Sequence, residues 1–193
     1  MAKKLFLTPD SLPKYSVLTP LILDSLLKES IQDTKIFIEK ICKLEEPLNW
    51  QNTVGPISNL TEVVSRIWGA TNHLAAVSDC DEIRKVINDN NTQVTDFWTD
   101  FFQNEKLFKI YFNLNRSISK KRDPVQHRVI SEYLKDFKLA GAHLSPKEKK
   151  IFKKNNEKLS QLMQKFSENI LDSTNASSLK IQAATENLNS CLR

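Results

Sequence analysis

Apolar residues recur at steps of three and four along most of this chain, the pattern of helices that each bury one face. Pro20 suits a first helical position. From there Leu23, Leu27, Ile31, Thr34, Ile38 and Ile41 line one side of a helix that should end near Leu44, ahead of Pro47. Asn49 is a good N-cap for a turn opening at Trp50, and Gly55-Pro56 should break or kink the segment. Ile57, Leu60, Val64, Ile67, Thr71, Leu74 and Val77 form a second stripe. Asp79 or Asp81 can cap a third helix, whose stripe is Ile83, Ile87, Asn90, Val94, Phe97 and Phe101 with Trp98 on its flank. Leu107, Ile110, Tyr111 and Leu114 suggest a fourth, and Pro124 opens a fifth carrying Val129, Ile130, Tyr133, Leu134 and Phe137.

Gly141 then reads as a helix stop. Ser145-Pro146-Lys147-Glu148 is the clearest local signal: a cap, a proline at the first position, and an acid placed to complete a capping box. Phe152, Asn155, Leu159, Leu162, Phe166 and Ile170 follow as a sixth stripe, expected in the core like the other five. The pattern fades after Thr174, and Leu179-Lys180-Ile181 has room for a short strand. The expected fold is all-α, a bundle or array of about six helices in a single domain over 1–193. An irregular leader spans 1–19, and a poorly defined tail spans 175–193.

Composition agrees. Only 3 glycines in 193 residues argue against a many-stranded protein, whose tight turns use glycine heavily. A chain of this length buries enough surface to hold a core without disulfides or metal. The three cysteines, Cys42, Cys80 and Cys191, match no Cys-x-x-Cys spacing. Cys42 and Cys80 fall in or beside apolar helical segments and read as reduced small hydrophobes, which favours a reducing, cytoplasmic setting. The apolar run after Lys3-Lys4 is too short for a signal-peptide core, and no stretch is long enough for a membrane helix. Without an export signal, Asn59-Leu60-Thr61 reads as a chance sequon.

Charge is unevenly spread. Residues 106–165 hold 16 Lys+Arg against 5 Asp+Glu, a net of +11, and the remainder holds 12 against 18, a net of −6. Ser119-Lys120-Lys121-Arg122 and the lysines at 147, 149, 150, 153 and 154 supply much of the excess. The aromatics lie on the apolar stripes rather than among the lysines. The lysines of the sixth helix therefore read as a solvated face or a surface for an acidic protein, and not as a nucleic-acid site.

Candidate chemistry is sparse. A zinc peptidase typically carries His-Glu-x-x-His on a helix, with both imidazoles on one face and the glutamate beside the metal-bound water. The three histidines are His73, His127 and His143; none is four residues from another, and none is followed by glutamate. His73, beside Leu74 of the second stripe, reads as a partly buried structural histidine. There is no glycine-rich phosphate loop and no Gly-x-Ser-x-Gly elbow. Glu45-Glu46 and Asp79/Asp81 sit at helix ends, where capping and solvation explain them. No catalytic, cofactor-binding or metal-ligating residue is assigned.

Several blocks nevertheless carry a likeness. Leu12-Pro13-Lys14-Tyr15-Ser16 with Thr19-Pro20 is one. Asn49-Trp50-Gln51-Asn52-Thr53-Val54 with Pro56-Ile57 is another. Ser65-Arg66-Ile67-Trp68 with Asn72-His73-Leu74 and Val77, and then Glu82-Ile83-Arg84, follow. Later come Leu134-Lys135-Asp136-Phe137-Lys138-Leu139-Ala140-Gly141 and Leu159-Ser160, then Phe166-Ser167-Glu168-Asn169-Ile170-Leu171-Asp172-Ser173-Thr174. In this order and spacing, from about residue 12 to 181, they resemble the N-terminal helical part of the thimet-oligopeptidase family of zinc peptidases, and within it the bacterial oligopeptidase A branch. The chain departs from the family at Phe152-Lys153-Lys154-Asn155, where the family usually has an arginine, and follows it only loosely after Ile181.

The resemblance implies helical, two-domain enzymes that hydrolyse short peptides. Their N-terminal domain forms one wall of a deep substrate channel, and zinc and its ligands lie in the C-terminal part. No residue here matches those ligands. The expectation is thus a non-catalytic domain, from a truncated frame, a split gene or an excised piece, with no cofactor of its own. Its expected partners are the catalytic domain in trans and short peptides in the assembled channel, with no nucleic acid and no membrane. The alternative is a free-standing helical module that binds peptide or protein without cutting it. A channel-wall domain should expose an apolar patch beside a concave polar face.

Overall fold

The computed structural model describes residues 13–44, 47–117 and 123–177. It contains six α-helices among the described residues: α1 (Pro20–Ile41), α2 (Gly55–Val77), α3 (Asp81–Phe102), α4 (Glu105–Ser117), α5 (Pro124–Leu139) and α6 (Pro146–Ala176). A 3₁₀ turn, Tyr15–Val17, precedes α1, and a π-helical turn, Trp50–Val54, precedes α2. No strand occurs among these residues, so the fold is all-α as the pattern predicts. The suggested strand at Leu179-Lys180-Ile181 lies outside the described residues, as do Cys191, Glu45-Glu46 and Lys120-Lys121-Arg122.

The chain divides into two compact units, one ending at Gln161 and the other beginning at Leu162, within α6. The first unit holds two apolar clusters. Leu18, Leu23, Leu27, Ile31, Val64, Ile67, Ile83, Val94 and Phe97 join α1, α2 and α3. The second cluster takes Ile38, Val54, Ile57 and Phe101 from the same helices and the π turn. It adds Leu107, Tyr111 and Leu114 of α4 and Ile130, Leu134 and Phe137 of α5.

Its centre is aromatic. Phe137 stacks on Phe101 with centroids 5.8 Å apart and meets Tyr111 edge-on at 5.5 Å. Such pairs contribute about 0.5–1.5 kcal/mol beyond the area they bury. The polar members of the α1 and α2 stripes are accommodated by their own helices. Thr34 Oγ1 donates to the Ser30 carbonyl at 2.7 Å, and Thr71 Oγ1 to that of Ile67 at 2.8 Å. That leaves only the methyl to pack.

The local signals of the sequence hold with exceptions. Asn49 caps as expected, exchanging hydrogen bonds with Asn52 at 2.8 and 3.0 Å. Gly55-Pro56 does not break the segment: the π turn runs straight into α2, with Pro56 in its first turn, where a missing N–H costs nothing. Neither Asp79 nor Asp81 caps α3. The N-cap is Cys80 with no side-chain hydrogen bond; Asp79 instead takes a two-bond grip from Arg84, at 2.8 and 2.6 Å. Cys80 is exposed and Cys42 half-buried, so only Cys42 acts as a packed hydrophobe.

The largest departure is α6. The expected capping box is present: Ser145 N–H donates to Glu148 Oε2 at 2.9 Å, and Glu148 N–H to Ser145 Oγ at 3.4 Å. Its apolar stripe, however, is not core. No residue of α6 is buried, and Phe166 is 66% exposed. Helical periodicity reports that a face is apolar; it does not supply the surface that covers it.

Candidate functional site

Three sequence positions were weighed as metal ligands, and the fold keeps them apart. His73 lies exposed on α2 with its ring 5.4 Å from that of Tyr15. It is thus more open than the half-buried histidine expected there. His127 sits near the start of α5, its Nδ1 3.5 Å from Ser131 Oγ. His143 is exposed in the turn after α5. Among the described residues no three His, Cys, Asp or Glu side chains come together in a way that could hold a metal ion. Nor is any helix of the described residues long and apolar enough to cross a membrane.

What the fold does assemble is an elongated surface on α6. One face of its N-terminal half is held to α3 and the α3–α4 corner by polar groups. Lys149 Nζ reaches Glu105 Oε1 at 2.7 Å and the Gln103 carbonyl at 3.3 Å. One turn on, Lys153 Nζ lies between Asp96 Oδ2 at 3.3 Å and Asp100 Oδ1 at 3.4 Å. Farther along, Thr95 Oγ1 donates to Ser160 Oγ, which donates to Asn91 Oδ1, each at 2.8 Å. The rising numbers on α6 meet falling numbers on α3, so the two helices run antiparallel.

The electrostatics follow this ladder. The hydrogen bond from Lys149 holds the Glu105 carboxyl below its usual range. Burial pulls Lys153 down, but Asp100 and Asp96 together outweigh it and hold the ammonium above its usual value. Sequence reading assigned Lys149 and Lys153 to a solvated face or a surface for an acidic protein. The signal that could have separated them is their spacing with Ser160, at steps of four and seven, which puts all three on one side of the helix.

The apolar side of α6 faces outward. Ile151 and Leu159 are each 55% exposed in the first unit, and Leu162, Met163, Phe166 and Ile170 are 52–66% exposed in the second. A concave surface of mixed character is also present in the first unit: a cleft of about 300 Å³ between α1 and α3, lined by Lys35, Glu39, Asp100 and Asn104 over an apolar floor of Ile38, Phe97 and Phe101.

Residues 24–150 match the family model described as Neurolysin/Thimet oligopeptidase, N-terminal domain. The chain belongs to that family. Oligopeptidase A of Escherichia coli (strain K12) is 25% identical over 169 residues, which are 87% of this chain and 25% of that protein. Oligopeptidase A of Haemophilus influenzae is 27% identical over 164 residues, 84% of this chain and 24% of that one. The "Probable cytosolic oligopeptidase A" of Arabidopsis thaliana is 27% identical over 149 residues, 77% and 21% respectively. The chain thus spans about a quarter of the length of the curated relatives it matches. The thimet-oligopeptidase match extends over α1 to α5 and ends in the first turns of α6, so the two apolar clusters lie almost wholly within it.

Proposed function

We propose that this chain is a non-catalytic N-terminal domain of an oligopeptidase A-like zinc peptidase. In this reading it walls one side of a channel for short peptides and needs a separate catalytic domain for hydrolysis. The match of residues 24–150 to the N-terminal domain of the family carries the proposal. The exposed apolar side chains that α6 carries in each unit support it, because a domain shaped to meet a second one leaves apolar surface open when alone. Zinc belongs, on this reading, to the catalytic domain. A cytoplasmic location goes with it, although one Arabidopsis relative is named as organellar, chloroplastic/mitochondrial.

The test mixes the purified chain with zinc and a quenched fluorescent peptide, alone and with the separately produced C-terminal remainder of a related oligopeptidase A. No turnover is expected from the chain alone, and a rise in turnover is expected when the two parts are combined. Chelator-sensitive turnover by the chain alone would refute the non-catalytic assignment. Peptide binding without any gain on mixing would favour the free-standing module instead.

A further inference from the structure

The cleft between α1 and α3 lies wholly in the first unit, and its three charged groups are not alike. Asp100 is already engaged: Lys153 Nζ lies 3.4 Å from its Oδ1 and 3.3 Å from Asp96 Oδ2. Lys35 is half-buried and Glu39 exposed, and no ion pair engages either among the described residues. The two are four positions apart on α1, which places their Cβ atoms about 5–6 Å from one another on one face. A lysine ahead of its glutamate is the less favourable order for pairing across a turn. At the far end Asn104 Oδ1 accepts the Leu107 N–H at 3.0 Å, and beyond it Lys106 acts on the Cys42 thiol. The open charges of the lining are thus one cation and one anion, side by side, above the buried side chains of Ile38, Phe97 and Phe101.

We infer that this cleft binds a free α-amino acid with an apolar side chain. Such a ligand carries its carboxylate and its ammonium on one carbon, so a single molecule meets both open charges. The carboxylate takes the Lys35 ammonium, the ligand ammonium takes the Glu39 carboxylate, and the side chain enters over the apolar floor. Charge-assisted hydrogen bonds of this kind are the strong ones. A cleft of about 300 Å³ stands at the lower limit of small-molecule pockets, which run from about 300 to 1,000 Å³. It therefore suits a ligand of this size better than a longer one. A peptide fits the charges poorly, because its ammonium and its carboxylate belong to different residues. The site does not depend on the preceding proposal, since it reads only the ligand's own charges and side chain.

The test is isothermal titration calorimetry of the full chain with L-leucine, L-leucinamide, N-acetyl-L-leucine and glycine. Leucine should bind with a Kd of about 1 mM or tighter. Leucinamide lacks the carboxylate, N-acetyl-leucine the ammonium and glycine the side chain, and each should bind roughly tenfold more weakly or worse. Lys35→Met should weaken leucine and erase its advantage over leucinamide. Glu39→Gln should weaken leucine and erase its advantage over N-acetyl-leucine. Neither side chain is buried, so both variants should melt with the parent chain, and the four ligands on the parent chain decide the matter even without them. No binding of leucine at about 10 mM overturns the inference. So does leucinamide or N-acetyl-leucine binding as tightly as leucine, which would show that only one of the two charges is read. A leucine-to-leucinamide ratio that Lys35→Met leaves unmoved overturns it as well, because the ligand would then sit elsewhere. Leucine binding of the expected pattern in a chain that gives no turnover with the catalytic remainder sustains this site and sinks the peptidase role alone.

Discussion

Tyr111 is the most deeply placed polar group in the aromatic cluster. Its side chain is fully buried, and its hydroxyl has no hydrogen-bond partner among the described residues. Burial, with a smaller contribution from neighbouring Tyr133, pushes the phenol far above its usual value. A buried hydroxyl without a partner is a cost, and removing it while keeping the ring should stabilise. Tyr111→Phe is expected to raise stability by about 1 kcal/mol, read as a higher urea midpoint at constant slope. A drop would mean that the hydroxyl has a partner after all. Gly141 works in the opposite sense. It sits at φ 81°, and around it Ala142 N–H bonds the Phe137 carbonyl at 2.9 Å and Gly141 N–H that of Lys138 at 3.1 Å. This is the Schellman ending of α5. A methyl there would meet the Leu144 side chain. Gly141→Ala should cost about 1–2 kcal/mol for the left-handed conformation alone, measured by the same titration; an unchanged midpoint would show that the turn relaxes freely.

Among the elements, α6 meets α3 and Glu105 through charged pairs, so its attachment should depend on pH. Glu105 is held below its ordinary value of 4.5 by Lys149, and Glu148 likewise by its bonds with Ser145. A carboxylate with a lowered folded value contributes stability that is complete above 4.5 and disappears as pH falls through the folded value. Lys153, raised above 10.5, contributes fully below 10.5 and loses its share as pH rises through its folded value. Amide protection along 149–160 should therefore form a plateau between these limits and drop on the acid side. Lys149→Met should flatten much of the acid drop, which hydrogen exchange corrected for intrinsic rates can read. Protection that holds equally below pH 4.5 would assign α6's attachment to Phe152 packing instead. Five of the six stripes were legible in sequence because each is matched by another across a core: Leu23, Ile67 and Phe97 bury one another. The sixth had the same period but no counterpart among the described residues, and periodicity carries no information about counterparts. The ladder was illegible for a related reason. Lys149 and Lys153 look like any surface lysines until α3 brings Glu105, Asp96 and Asp100 opposite them. Asp79 was misjudged because Arg84 competes for it more strongly than the α3 backbone does.

For the whole molecule, the placement of the core makes one further prediction. The two apolar clusters draw on residues from Leu18 to Ala142 and on none from α6. Within the first unit, the part of α6 up to Gln161 meets α3 through the polar ladder, and partly exposed ion pairs of this kind are typically worth about 0–1 kcal/mol each. The second unit, from Leu162 on, adds exposed Leu162, Met163, Phe166 and Ile170. A chain ended after Gln161 should therefore melt within about 4 °C of the full chain, the shift expected from a change of 1 kcal/mol or so in a domain of this size. It should also bind less of an apolar-surface dye such as ANS and remain monomeric at concentrations where the full chain associates. A fall in Tm of more than about 10 °C would require several kcal/mol from the removed residues, and hence packing that the described side chains do not provide. Thermal melts and dye binding on the two proteins decide the matter without any ligand or partner.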